Sequence, residues 1–143
     1  MDKKYFKILL KLANKAYARD EVPISAIIVY RNKIIAKSYN QRVNTNYTIS
    51  HAEIEVINQA NKKLKDWRLN KCTMYVTMKP CDMCEKVIKE ARIEEVYYLV
   101  ERDAQKKPYN KTEFIKCNEI QNAEAIKKYK SKLASFWKKK RKN

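Results

Sequence analysis

Two short segments hold residues that can do chemistry together. Ser50-His51-Ala52-Glu53 and Pro80-Cys81-Asp82-Met83-Cys84 each stand where a helix is expected to begin, Cys81 coming thirty positions after His51. Cysteines three apart at a helix start project from one face, so both sulfurs can reach a single ion. The helix dipole and free amides there favour the thiolate, the form that binds metal. His51, the one histidine of the chain, adds a borderline third ligand. Together His51, Cys81 and Cys84 suit a zinc ion with one open position, the arrangement of a catalytic rather than a structural centre.

Glu53 lies two residues beyond His51, an offset that in a regular helix turns its side chain away from the ligand, so it need not bind metal. At a helix start it can instead face the open position. Zinc lowers the pKa of bound water from about 15.7 to about 7. A neighbouring carboxylate can take that proton and return it to a ring nitrogen and then to leaving ammonia. Hydrolytic deamination of a planar heterocycle needs those parts. A C-x-x-C pair alone also suits a zinc knuckle or two ordinary thiols. Structural zinc wants four protein ligands, which would recruit Cys72 or Cys117; both are read instead as buried apolar residues.

The elements around these segments follow from periodicity. Lys3 to Arg19 places Phe6, Leu9, Leu10, Ala13, Ala16 and Tyr17 at helical spacing, and Asp20-Glu21-Val22-Pro23 breaks it. Ile24–Tyr30 and Ile34–Tyr39 read as a hairpin around Arg31-Asn32-Lys33, with a polar loop from Asn40 to Ser50. A helix follows from near His51, then a strand Thr73–Thr77, a helix Cys81–Ala91 and a strand Glu95–Val100. Phe114 to Cys117 adds a strand or short connector, and Ala123 to Lys142 reads as a basic helix with Ile126, Tyr129, Leu133, Phe136 and Trp137 on its apolar side. Strands alternating with helices after a hairpin predict an α/β layered domain with a mixed sheet. There is no internal repeat and no linker, so residues 1–143 are expected to form one domain.

Thirty-three basic residues against sixteen acidic give a formal charge of +17, which favours a polyanionic partner. Compositional drift offers a plainer account: 26 of the basic residues are Lys, glycine is absent, and Asn, Ile and Tyr are abundant. No run of eighteen apolar residues exists to cross a membrane. The first residues lack a long apolar stretch with a small-residue cleavage site, so the cytoplasm is the expected compartment, with reduced cysteines.

The pair H-x-E and P-C-x-x-C is the known signature of the zinc-dependent nucleobase deaminases. Within that superfamily the chain resembles the bacterial tRNA-specific adenosine deaminases. The likeness runs through Asp20-Glu21-Val22-Pro23-Ile24, Tyr39-Asn40, His51-Ala52-Glu53, Leu69 to Thr77, Arg102-Asp103-Ala104 and Phe136-Trp137. It implies a cytidine-deaminase-like three-layer α/β/α domain with a mixed sheet of about five strands. It implies conversion of the first anticodon adenosine of an arginine tRNA to inosine, with one zinc per subunit. It also implies a homodimer with the anticodon stem-loop across the subunit boundary. On the same resemblance Asn40 would hydrogen-bond the flipped adenine and Ala52 would lend a backbone group. Val22, Asp103, Phe136 and Trp137 would complete the substrate contacts.

Three positions depart from the family pattern. Ser25 stands where a glycine is usual, Lys79 where an acidic residue precedes Pro-Cys, and Ala104-Gln105-Lys106-Lys107-Pro108 replaces a glycine-containing loop. Two other functions fit part of the pattern. One is a deaminase of free cytidine, deoxycytidylate or guanine, against which the basic surface and the basic terminal helix stand. The other is a non-catalytic RNA-binding module with structural zinc, which would have no use for Glu53.

Overall fold

A computed structural model describes residues 1–102, 110–117 and 123–141. Helix α1 (Lys3–Ala18) starts at Asp2, whose carboxylate accepts the Lys4 N–H at 2.8 Å, and it buries Leu9, Leu12, Ala13 and Ala16. Strands β1 (Ser25–Tyr30) and β2 (Lys33–Tyr39) form the expected hairpin. Their two-residue turn holds Arg31 at φ 50° and Asn32 at φ 63°, the positive values that a type I′ turn requires. A one-turn helix α2 (Arg42–Thr45) stands inside the segment read as loop. Then come α3 (Ala52–Leu64), β3 (Cys72–Met78), α4 (Asp82–Glu90) and β4 (Glu95–Val100), each within a residue or so of its expected place.

The sheet order is β2-β1-β3-β4, with β1 antiparallel to both neighbours and β3 parallel to β4. Strand β1 lies inside the sheet and is buried on both sides, because alternate residues feed two cores. Ile27 and Val29 meet Leu9 and Leu12 of α1. Ala26 and Ile28 meet Val56 and Ala60 of α3 and Ile88 of α4. Helices on both faces of a mixed sheet give the three-layer α/β/α arrangement expected.

Among the described residues the sheet has four strands, not about five. Residues 111–117 adopt no regular structure, and Phe114 and Ile115 are 95% and 81% exposed. Two adjacent apolar residues point to opposite sides of a strand. Without a paired neighbour on the ladder that short run does not become one. Cys117 is exposed, against expectation, whereas Cys72 is buried as expected and burial raises its thiol pKa.

The chain divides into two compact units, Met1–Gln105 and Lys106–Asn143. The first contains the sheet and α1 to α4. In the second, α5 (Ala123–Arg141) carries exposed Tyr129, Leu133, Phe136 and Trp137, the last two meeting edge-on with ring centroids 5.1 Å apart. No helix among the described residues is long and apolar enough to cross a membrane. Left-handed backbone occurs at Asp20, Arg31, Asn32, Asn46, Lys65 and Arg92, side-chain-bearing residues in a chain that has no glycine.

Candidate metal centre

Two helix starts meet at the site, and neither is capped in the ordinary way. His51 is the N-cap of α3 and Cys81 that of α4, both with extended backbone and neither side chain making a capping bond. Most N-caps are Ser, Thr, Asp or Asn, whose oxygens turn inward to free amides. Here an imidazole and a thiol occupy those places and turn to each other. His51 Nδ1 lies 3.4 Å from Cys84 Sγ and 3.8 Å from Cys81 Sγ. The three donor atoms fall within 4.8 Å of one another. Cys84, in the first turn of α4, is fully buried, while His51 and Cys81 are half-buried, so the cluster is open on one side.

The electrostatics suit a metal. Hydrogen bonding from Cys84 and then from His51 holds the Cys81 thiol pKa down to about 3. Cys84, donating to that thiolate and deeply buried, is pushed up instead. The three donors crowd into a space one cation would fill. A nitrogen and two sulfurs are the donor set that suits zinc, with a position left for a further ligand. Glu53, the second residue of α3, is 3% exposed, and its Oε1 is buried without a hydrogen-bond partner among the described residues. Burial raises its carboxyl pKa above the usual range, outweighing its own backbone amide and His51, which lower it. An orphaned carboxylate oxygen is costly unless something polar meets it.

Other predicted site residues fall into three groups. Asn40 is buried beside the cluster: its N–H donates to Ile24 O at 2.9 Å, and its Oδ1 accepts the Ala52 N–H at 3.1 Å. Asn40 thus caps α3 from a distance, and no described hydrogen bond uses its Nδ2. Val22 is exposed at the start of the segment leading to β1. Phe136 and Trp137 belong to the second unit and stand half-exposed there. Asp103 lies outside the described residues, as does the segment Ala104–Pro108.

Two of the departures have structural accounts. Ser25 is fully buried, and its hydroxyl donates to Leu9 O, joining β1 to α1. Lys79 is exposed, with its ammonium 5.9 Å from the centre of the Tyr98 ring.

In the sequence Glu21 stands in a helix break and in a stretch shared with the family, with no role assigned to it. It is buried, and its carboxylate accepts the Val43 N–H at 3.0 Å, the Asn44 N–H at 2.7 Å and Asn44 Nδ2 at 2.6 Å. Burial alone would raise this carboxyl; those three donors lower it further than burial raises it. An acidic residue two positions before a proline does not distinguish a cap from a turn.

Comparison with known proteins places this geometry. A family model described as MafB19-like deaminase matches residues 1–140. A tRNA-specific adenosine deaminase of Buchnera aphidicola subsp. Schizaphis graminum is 37% identical over 98% of this chain and 96% of its own length. One of Bacillus subtilis is 42% identical over 68% of this chain, a match spanning 60% of that relative. A solved structure from work on A-to-I editing by tRNA:A34 deaminases at the wobble position shares 39% identity and a TM-score of 0.68. It covers 70% of this chain and 77% of its own. A Bacillus subtilis guanine deaminase structure, 24% identical, covers 92% of this chain and 95% of its own with a TM-score of 0.75, which speaks for the fold. Because the matched span takes in both helix starts and the Glu53 between them, the chain belongs to the MafB19-like deaminase family, alongside the tRNA-specific adenosine deaminases.

Proposed function

We propose that the protein hydrolyses the amino group of the adenosine at the first anticodon position of a tRNA, an arginine tRNA, leaving inosine. The observation that carries this is the meeting of His51, Cys81 and Cys84 donors within 4.8 Å beside the buried, unpartnered Glu53 Oε1. The relatives' names support the substrate, and the charge of +17 suits a polynucleotide.

His51, Cys81 and Cys84 would hold the zinc, one per chain. When bound, zinc supplies the Lewis acidity that makes water nucleophilic near neutral pH. Glu53 does the proton work. Water adds at C6 of the adenine, Glu53 accepts its proton, and the same proton goes to the neighbouring ring nitrogen. A second transfer through Glu53 carries the remaining hydroxyl proton to the amino group, which leaves as ammonia while the carbonyl of inosine forms. A carboxyl whose proton affinity is raised by burial is suited to both halves of that exchange. Asn40, fixed by the Ala52 N–H through Oδ1, offers its Nδ2 hydrogens to the base. Val22, Ala52, Asp103, Phe136 and Trp137 complete the substrate contacts. Residues 1–143 act as one deaminase domain, in the cytoplasm, as a homodimer that receives the anticodon stem-loop at the subunit boundary.

The test is inosine formation on a synthetic anticodon stem-loop with adenosine at the wobble position. Wild type is compared with Glu53→Ala and with chelated enzyme, and free adenosine and cytidine run in parallel. Inosine from the metal-loaded wild type alone supports the reading. Turnover of a free nucleoside alone would replace tRNA with a small substrate, and no turnover at all would leave the metal without a catalytic role.

A further inference from the structure

The segment between β2 and α3 is closed at its base and braced at its far side. At the base, the Gln41 N–H donates to Ser50 O at 2.9 Å, and Thr45 Oγ1 bonds Ser50 Oγ at 2.9 Å. On the far side Gln41 is the N-cap of α2, and its side chain makes no capping bond. The two amides of the first turn, Val43 and Asn44, go instead to Glu21, more than twenty residues earlier. Asn44 Nδ2 also donates to Arg19 O at 3.2 Å. A helix of a single turn has no stability of its own. Its conformation therefore depends on a buried carboxylate that belongs to the turn after α1.

This braced segment exposes apolar side chains. Val43, Tyr47 and Ile49 are 63%, 68% and 52% exposed, and Val22, next to Glu21, is 51% exposed. The same segment begins at Asn40 and ends at His51, so these side chains stand on the chain that joins two site residues. Exposed aromatic and apolar groups held in place on a chain of net charge +17 suit the faces of nucleobases, which stack without regard to sequence. A loose loop would have to be ordered by each substrate, and that cost appears as weaker binding.

From this we infer that Glu21 is a positioning residue for the polynucleotide: it fixes residues 41–49 as a preformed surface for the nucleotides flanking the reacting base. The inference rests on the RNA reading of the site. Asn40 keeps its own bonds to Ile24 and Ala52, so loss of the brace leaves the metal donors and the reacting base where they are. The loss falls on KM rather than on kcat.

Glu21→Gln keeps the shape but cannot accept from three donors, and Asn44→Ala removes only the exposed side-chain partner and is the milder change. Each is compared with wild type for stem-loop Kd by fluorescence anisotropy, KM and kcat for inosine, zinc content, and amide hydrogen exchange at Val43 and Asn44. Glu21→Gln is expected to raise Kd and KM about tenfold with kcat within about twofold, and Asn44→Ala to raise them about threefold. Zinc content stays at the wild-type value, and exchange at the two amides accelerates. Faster exchange with unchanged Kd and KM would overturn the inference and leave Glu21 as a stabilising residue only. A fall in kcat alone would overturn it as well. A wild type that binds the stem-loop without forming inosine would sink the proposed reaction, while the Kd comparison still decides the brace. A wild type that does neither sinks both.

Discussion

Helices α3 and α5 show the same apolar periodicity and meet opposite fates. α3 buries Ala52, Ile54, Val56, Ile57 and Ala60 against the sheet and carries Glu53 into the site. α5, six residues longer, leaves Tyr129, Phe136 and Trp137 at least half exposed. An apolar stripe specifies that a face can be buried, while the surface that covers it must come from elsewhere in the fold. For α3 that surface is supplied by β1 and β2. Within its own unit α5 leaves those side chains exposed, and lysines stand among them.

The largest effect that sharpens this contrast is expected at Glu53. Glu53→Ala should reduce inosine formation about a thousandfold while zinc content is unchanged. Loss of zinc in that variant would make Glu53 a ligand rather than a proton carrier. Next in size are core truncations. Ile57→Ala on α3 should cost about 2–4 kcal/mol in denaturant unfolding, whereas Trp137→Ala on α5 should cost less than about 1 kcal/mol. Equal costs would break the comparison by showing that α5 is covered in solution.

A smaller effect concerns acid. The Glu21 carboxyl lies below its ordinary value in the folded chain, so its contribution to stability is complete above the unfolded-state pKa. That contribution is lost as pH falls through the folded-state pKa. The Tm of wild type should therefore drop more on acidification through the carboxylate range than that of Glu21→Gln. Parallel Tm curves would show that Glu21 does not carry the linkage. Smallest is a gain: Arg92 at φ 65° occupies left-handed backbone, and Arg92→Gly should raise stability by up to about 1 kcal/mol by calorimetry. A fall instead would mean that its side chain, 5.3 Å from the Trp67 ring centre, is worth more than the relaxed backbone.

Much of the architecture was legible because period and punctuation agreed. The 3.6-residue pattern of α1, the β-branched run of β1 and the proline before Cys81 each mark an element found near its expected bounds. The metal donors were legible because only a few side chains bind zinc, and their spacing is set by helix geometry. What escaped was whatever depended on a distant partner. A fifth strand at Phe114–Cys117 satisfies local propensity but needs a neighbouring ladder. α2 is too short to have a period. Glu21 looks like any acidic residue at a turn, since the amides that bury it arrive over twenty positions later. The exposure of Cys117 likewise follows from where residues 111–117 end up, not from the thiol itself.

Capping from a distance makes the site depend on contacts that span the fold. α3 receives a partner for its Ala52 N–H only when the end of β2 brings Asn40 alongside, and α2 holds its turn only once Glu21 arrives. Thirteen residues of α3 alone make a marginal helix in water. His51 therefore stands where it does through the end of the hairpin as well as through α3 itself. A chain with this segment unfolded would carry the thiols and the imidazole without the arrangement that brings them together.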